Sequence, residues 1–180
     1  DCHKRAIKLN PNFAEPYANL GNIFFENGML NESKNNFKIA IKLKPNKASF
    51  YSNLGNIYKD GGFLIKAISH YKKAISLKPD FSSAYCNLGN TLRDIGNLDD
   101  AIKSYKKALE IDPNYKEVFS NLLFLKSSVS EDSKLYLKEA KKYGHLIKNN
   151  TKKKYSNWDY EKDIKKLKVG FVSNDLKNHP

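Results

Sequence analysis

The chain has 180 residues, and it contains few arginines, few cysteines and no long apolar segment. Arg5 and Arg93 are the only arginines among 32 basic residues, and Cys2 and Cys86 stand too far apart for a metal-binding pair. No run of about 18 apolar residues is present, which excludes a membrane-spanning helix. Nine glycines and six prolines are too few for a collagen-like or low-complexity chain. We therefore expect a soluble, folded protein.

The formal net charge of +13 comes almost entirely from lysine. Nucleic-acid recognition depends largely on the bidentate contacts that arginine makes to phosphate and guanine. The lysines therefore indicate a solvated surface, and we expect neither a nucleic acid nor a membrane as partner. Two isolated cysteines suit a reducing compartment, so the predicted location is cytoplasmic. The only methionine is Met29, and the chain begins without one, which predicts a fragment of a longer protein.

A repeat of 34 residues organises most of the chain. Its proline recurs at Pro11, Pro45, Pro79 and Pro113. The phrase Tyr-x-Asn-Leu-Gly-Asn begins at 17, 51 and 85, and a second phrase begins with an aromatic residue at 37, 71 and 105. This pattern resembles the tetratricopeptide repeat, a helix–turn–helix unit whose copies stack into a solenoid. The predicted fold is all-α, with the end of one repeat at 1–10 and repeats at 11–44, 45–78 and 79–112.

Small residues recur at three places in the repeat. A glycine inside the first helix costs roughly 1 kcal/mol against alanine, so we expect two helix backbones of one repeat to approach closely at Gly21, Gly55 and Gly89. A second glycine marks the turn between the two helices, at Gly28, Gly62 and Gly96. A small residue on the second helix is expected to face the next repeat, at Ala40, Ala74 and Ala108.

The first helices of such repeats line the inner groove of the superhelix, and they carry two columns of asparagine. The first asparagine column is Asn19, Asn53, Asn87 and Asn121; the second asparagine column is Asn22, Asn56 and Asn90. An asparagine amide donates and accepts hydrogen bonds, so both columns could bind the main chain of an extended polypeptide. The alternative is that they only brace neighbouring repeats.

Three further side chains bear on the function of the groove. Ala18, Ser52 and Cys86 occupy groove positions where a carboxylate clamp would need lysine or another polar donor, so that kind of site is not expected.

His70 and His145 are single histidines at polar helical positions, and we predict that both lie on the surface.

The repeat decays after residue 122. Residues 113–148 are predicted to form a degenerate repeat and a bridging helix, with an interruption at Ser127–Ser130 and a restart at Ser130. Residues 149–165 indicate a linker. Residues 166–180 contain an apolar run that ends in a polar loop, which is typical of the first strand of a doubly wound, Rossmann-like sheet.

Together with the repeats, the last residues resemble the protein O-GlcNAc transferase family. The first strand of its two-lobed catalytic domain reads Gly-Tyr-Val-Ser-x-Asp-Phe-x-x-His-Pro, which this chain matches at Gly170, Val172, Ser173, Asp175, His179 and Pro180. The resemblance implies transfer of N-acetylglucosamine from UDP-N-acetylglucosamine to serine or threonine of polypeptides held in the groove, without a cofactor or metal. It also implies that His179 is a catalytic-site residue and that UDP binds beyond Pro180, so the chain alone should be inactive. The alternative is a non-enzymatic scaffold for protein–protein interaction.

Overall fold

The computed structural model describes residues 2–129 and six further helical positions, 137, 138, 140, 141, 144 and 145. The chain divides into two compact units, 1–149 and 150–180, and all described residues belong to the first. The linker at 149–165, the strand at 166–180 and His179 lie outside the described residues.

The described elements are helices, and they follow the repeat. They are α1 (Cys2–Leu9), α2 (Ala14–Glu26), α3 (Leu30–Leu43), α4 (Ala48–Asp60), α5 (Leu64–Leu77), α6 (Ser82–Asp94), α7 (Leu98–Ile111) and α8 (Lys116–Val129). The pairs α2–α3, α4–α5 and α6–α7 are the hairpins of the three predicted repeats. By the 34-residue register, α1 is the second helix of a preceding repeat and α8 is the first helix of a fourth.

Each helix packs against the next one along the chain, which builds a solenoid in the order of the sequence. The first helices of neighbouring repeats also contact each other directly, α2 with α4 and α4 with α6. Such contacts bring the first helices to the inner side of the stack, where the two asparagine columns were predicted.

The turn between the helices of each repeat contains the expected glycine in a left-handed conformation. The φ angles are 73° at Gly28, 78° at Gly62 and 80° at Gly96. A side chain is strained at such φ values and glycine is not, so the recurring glycine lets the chain reverse at the same point in every repeat.

The glycine inside each first helix has a different role from the expected one. A Cβ placed on Gly21, Gly55 or Gly89 would lie 2.6–2.7 Å from a ring carbon of Phe37, Tyr71 or Tyr105, respectively. The close approach therefore joins a helix backbone to an aromatic side chain of the second helix, and the expectation of two closely packed backbones was wrong. The rings themselves are at most 1% exposed.

The core continues from repeat to repeat because large and small side chains alternate. Ala40, Ala74 and Ala108 are fully buried. Ala40 packs in one cluster with Phe50 and Leu54 of the next repeat, and Ala108 shares a cluster with Val118 of α8. The small alanine thus admits the first helix of the following repeat.

The end of the described solenoid differs from the prediction in one respect. The helix α8 runs without a break to Val129, although an interruption was expected from Ser127 onward. Its core positions Val118, Leu122 and Leu125 stay buried, and this packing outweighs the weak helix preference of the serines.

Among the described residues, no helix combines the length and the apolar character that a bilayer crossing requires.

Candidate functional site: an asparagine-lined groove

The two asparagine columns meet at every junction between repeats. The amide nitrogen Nδ2 of three of the four residues of the first column donates to Oδ1 of a second-column residue 31 positions earlier. The pairs are Asn53 with Asn22 at 3.1 Å, Asn87 with Asn56 at 3.0 Å and Asn121 with Asn90 at 3.0 Å. The bracing alternative is therefore part of the structure, and the columns form one continuous strip of amides along the first helices.

Tyrosines of the second helices donate hydrogen bonds to residues of the second asparagine column. The hydroxyls of Tyr71 and Tyr105 donate to Oδ1 of Asn56 and Asn90, each at 2.7 Å. Burial raises the pKa of both hydroxyls, to about 12 for Tyr105, so both stay protonated donors at neutral pH. Phe37 occupies the same position in the first repeat and has no hydroxyl, so Asn22 lacks this support.

These bonds leave part of each amide unused. Within the described part of the chain, Oδ1 of Asn53, Asn87 or Asn121 accepts no hydrogen bond, and Nδ2 of Asn22 and Asn56 donates none. All five side chains are half-buried, not sealed in the core. Each junction therefore offers a carbonyl acceptor in a fixed position, and the junctions at Asn22 and Asn56 also offer an amide donor; these are the groups that pair with a polypeptide main chain.

The strip changes at its two ends. Asn19 is exposed and makes no hydrogen bond to any described side chain. After Asn90 the next residue of the second column would be 124, and it is Phe124, with 66% of its surface exposed. The second column thus ends one repeat before the first.

Beneath the strip, Ala18, Ser52 and Cys86 are 5%, 3% and 1% exposed. They were predicted as groove residues, and that prediction was wrong because the next repeat buries them: Ala18 packs in one cluster with Phe50 and Leu54, and Cys86 in one cluster with Val118 of α8. Cys86 Sγ lies 3.8 Å from Asn90 Nδ2 and 3.9 Å from Oε1 of Glu117. Burial, with the carboxylate of Glu117, raises the pKa of the Cys86 thiol to about 11, so the thiol is neutral at physiological pH.

Charged side chains follow the strip one helical turn further on. Lys59 lies 3.7 Å from Asp94 of the next repeat, and Arg93 lies 3.2 Å from the same carboxylate. About a third of each of these side chains is exposed, and ion pairs of this kind contribute little stability. They give the groove paired charges of both signs beside its neutral amides.

The two histidines differ in their environment. His145 is exposed, as predicted, whereas His70 is half-buried and stacks on Tyr58 with ring centroids 5.1 Å apart. Burial lowers the pKa of His70, and Lys38 lowers it further. The prediction of a surface position for His70 was wrong because the repeat places Tyr58 of α4 directly against α5.

Family profiles match this architecture over most of the described chain. A TPR repeat profile matches residues 1–28, 21–62 and 55–92, and a tetratricopeptide repeat profile matches residues 82–115. The chain belongs to the tetratricopeptide repeat family. No curated protein sequence matches the chain.

Solved structures show the same tetratricopeptide fold at low sequence identity. The crystal structure of MamA is 24% identical, with a TM-score of 0.74 and coverage of 82% of this chain and 85% of that chain. MamA from Desulfovibrio magneticus RS-1, beginning at its residue 41, is 20% identical with a TM-score of 0.72, covering 82% of this chain and 83% of that one. The first TPR of Spaghetti (RPAP3), bound to the HSP90 peptide SRMEEVD, is 22% identical with a TM-score of 0.62, covering 64% and 92%.

The hydroxyls of Tyr71 and Tyr105 are the functional groups that the tetratricopeptide repeat pattern did not single out. Their signal in the sequence is the change from Phe37 to tyrosine at a fixed distance of 15 residues from an asparagine. The spacing of 15 residues corresponds to a contact only because the hairpin brings the first and second helices of a repeat together.

Proposed function

We propose that this chain is a polypeptide-binding scaffold whose groove holds extended, unfolded segments by their main chain. The observation that carries the proposal is the amide strip, with its fixed acceptors at Asn53, Asn87 and Asn121. Amide contacts to a main chain do not depend on the side chains of the guest, so many sequences should bind. A protein of the same fold, RPAP3, has been solved with a peptide bound, which supports this use of the fold.

Ordering of the amides before the guest arrives is the physical basis for affinity. A flexible asparagine loses rotamer freedom when it binds, and this loss weakens binding. Here the hydrogen bonds between the columns, and those from Tyr71 and Tyr105, hold the amides in advance. Several weak, adjacent contacts on one guest then add up along the groove.

The test is binding of a fluorescent, unstructured Gly-Ser-Thr polypeptide of about 20 residues to the 180-residue chain. Replacement of Asn53, Asn87 and Asn121 by alanine should reduce the affinity at least about tenfold, since each lost hydrogen bond contributes roughly 0.5–1.5 kcal/mol. The matched control replaces Asn31 and Asn35, exposed asparagines of α3, and should bind normally.

Two additional measurements separate groove binding from damage to the fold. Circular dichroism reports whether the alanine variant remains folded. Asn19→Ala removes an exposed amide that makes no hydrogen bond to a described side chain, so it tests the groove without breaking a contact between repeats. A polypeptide with N-methylated backbone amides presents the same side chains without main-chain donors. Equal binding of the methylated and the unmodified polypeptide would contradict recognition through the main chain.

Sugar transfer is the second candidate, and the motif from Gly170 to Pro180 favours it. The profile matches end at residue 115, so this proposal depends on the last residues alone. We propose that the complete gene product adds N-acetylhexosamine from UDP-N-acetylglucosamine to a serine- and threonine-rich polypeptide, measured as a mass increase, and that His179→Ala reduces it. Absence of transfer would contradict the proposed sugar transfer and would leave the proposed scaffold function unaffected.

A further inference from the structure

The second helices of the repeats carry nearly all of the positive charge of the solenoid. The helices α1, α3, α5 and α7 contain twelve basic and four acidic residues, a net charge of +8. The helices α2, α4, α6 and α8 contain four basic and five acidic residues, a net charge of −1. The charge therefore lies on the side of the molecule opposite to the amide strip.

Within this side, one surface is strongly basic, since α1, α3 and α5 together contain nine basic residues and one acidic residue, Glu32 in the first turn of α3. We call it the cationic outer face, and it consists of exposed residues of α1, α3 and α5: Lys4, Arg5, Lys8, Lys38, Lys42, Lys72 and Lys73. None of these seven residues forms an ion pair with a described side chain. Lys4, Lys38, Lys72 and Lys106 are spaced by 34 residues, so the repeat places them at the same point of successive helices. Lys106 is not part of the cationic outer face, because the three acidic residues of α7 balance its three lysines.

Exposed aliphatic side chains accompany the cationic outer face. Ile39 on α3 and Ile65 on α5 are 42% and 71% exposed. The helix α7 lacks both features, since each of its aliphatic side chains is at least half-buried and its net charge is zero. Its Lys103 and Lys107 are paired with Asp100 and Glu110.

We propose that the cationic outer face docks on an anionic lipid bilayer surface. Lysines attract anionic headgroups as point charges and need no bidentate geometry, and each contributes about 1 kcal/mol near such a surface. Aliphatic side chains between them can enter the headgroup region. Charges spread over three helices suit a surface better than a single polypeptide strand, and the scarcity of arginine disfavours a nucleic acid.

This inference differs from the expectation of no membrane partner that was drawn from composition alone. Composition does not show that the lysines gather on one side, because consecutive helices alternate between the two sides of the solenoid. Docking by the second helices leaves the amide strip on the first helices open, so the groove could still hold a guest.

The experiment is co-sedimentation of the 180-residue chain with vesicles of phosphatidylcholine alone and with 30% phosphatidylserine. We expect binding only to the second kind, with a loss on raising NaCl from 0.1 to 0.5 M. Lys38→Gln, Lys72→Gln and Lys73→Gln together should reduce the affinity about 100-fold. The matched control is Lys103→Gln, Lys106→Gln and Lys107→Gln on α7, which removes the same charge and should change the affinity less than about fivefold.

Several outcomes would overturn the proposal. Equal losses from the two triple variants would indicate attraction by net charge without a defined face. Equal binding to uncharged vesicles, or no binding to either kind, would exclude an electrostatic lipid surface. Tighter binding to poly-glutamate, or to duplex DNA, than to the anionic vesicles at the same salt would assign the face to an acidic polypeptide or to a nucleic acid instead.

Discussion

At the scale of single residues, the hydrogen bonds of Tyr71 and Tyr105 to the second asparagine column can be tested one atom at a time. Removing either hydroxyl leaves a half-buried amide oxygen with one partner fewer. We expect Tyr71→Phe and Tyr105→Phe each to reduce the free energy of unfolding by about 1 kcal/mol, measured by urea denaturation. Affinity for an extended polypeptide should fall severalfold because the amides are held less firmly.

The first repeat supplies the reverse experiment. Phe37→Tyr adds a hydroxyl at the position from which Tyr71 and Tyr105 reach their asparagines, so it should brace Asn22 and strengthen polypeptide binding. Phe37→Leu, which removes the ring without adding a hydroxyl, is the control for general repacking. Weaker binding by Phe37→Tyr in a protein that remains folded would show that the tyrosines do not position the amides.

The buried thiol of Cys86 predicts a difference in reactivity between the two cysteines. The thiolate is the nucleophile, and burial raises the pKa of Cys86 to about 11 while the side chain is 1% exposed. At pH 8 iodoacetamide should therefore modify the exposed Cys2 and spare Cys86 until the protein is unfolded, as seen by peptide mass mapping. Rapid labelling of Cys86 in the folded chain would contradict this burial.

The same shift predicts how stability depends on alkaline pH. A thiol whose pKa is higher in the folded state than in the unfolded state stabilises the protein fully below the unfolded value, near 8.5. That contribution is lost as the pH rises from about 8.5 towards 11. We expect the melting temperature of Cys86→Ala to fall less over this interval than that of the natural chain.

At the scale of secondary-structure elements, each hairpin depends on a glycine beneath an aromatic ring. Alanine normally stabilises a helix by up to about 1 kcal/mol relative to glycine. A Cβ at Gly55 would lie 2.6 Å from Tyr71 Cε1, so Gly55→Ala should instead destabilise by about 1–3 kcal/mol. Gly144→Ala is the matched control, because an added Cβ there meets nothing within 4 Å, and it should be neutral or stabilising in thermal unfolding.

The helices were predictable from the sequence because the period of 34 residues repeats three times. The turn glycines, the buried alanines and the two helices of each repeat follow from that period alone. The aromatic ring over Gly55 was not predictable, since a mid-helix glycine indicates a close approach without identifying the partner. The pairing of Asn53 with Asn22 needed the stacking distance between repeats, which no local pattern contains.

The same limit applies to the residues beneath the groove. Ser52 and Cys86 stand one position before an asparagine and share its helix, so the pattern placed them in the groove. One helical position is a rotation of about 100°, and in the solenoid that rotation carries them into the contact with the next repeat. Whether a side chain at such a boundary is buried depends on the angle between repeats.

At the scale of the whole molecule, the uneven charge should oppose folding at low ionic strength. The net charge is +13, and no lysine of the cationic outer face forms an ion pair with a described side chain, although Lys103 and, more weakly, Lys72 lower the pKa of Asp100. Self-repulsion of this kind destabilises a compact state and is screened by salt. We expect the melting temperature to rise by a few degrees, on the order of 3–6 °C, between 20 and 300 mM NaCl.

The variants designed for the lipid experiment decide where that repulsion arises. Lys38→Gln, Lys72→Gln and Lys73→Gln remove unpaired charges, so together they should raise the melting temperature at 20 mM NaCl and reduce its increase with salt. The α7 triple breaks the pairs of Lys103 and Lys107 and should not raise it. If both triples shift the melting temperature alike, the repulsion belongs to the total charge of the chain, and the cationic outer face has no separate effect on its stability.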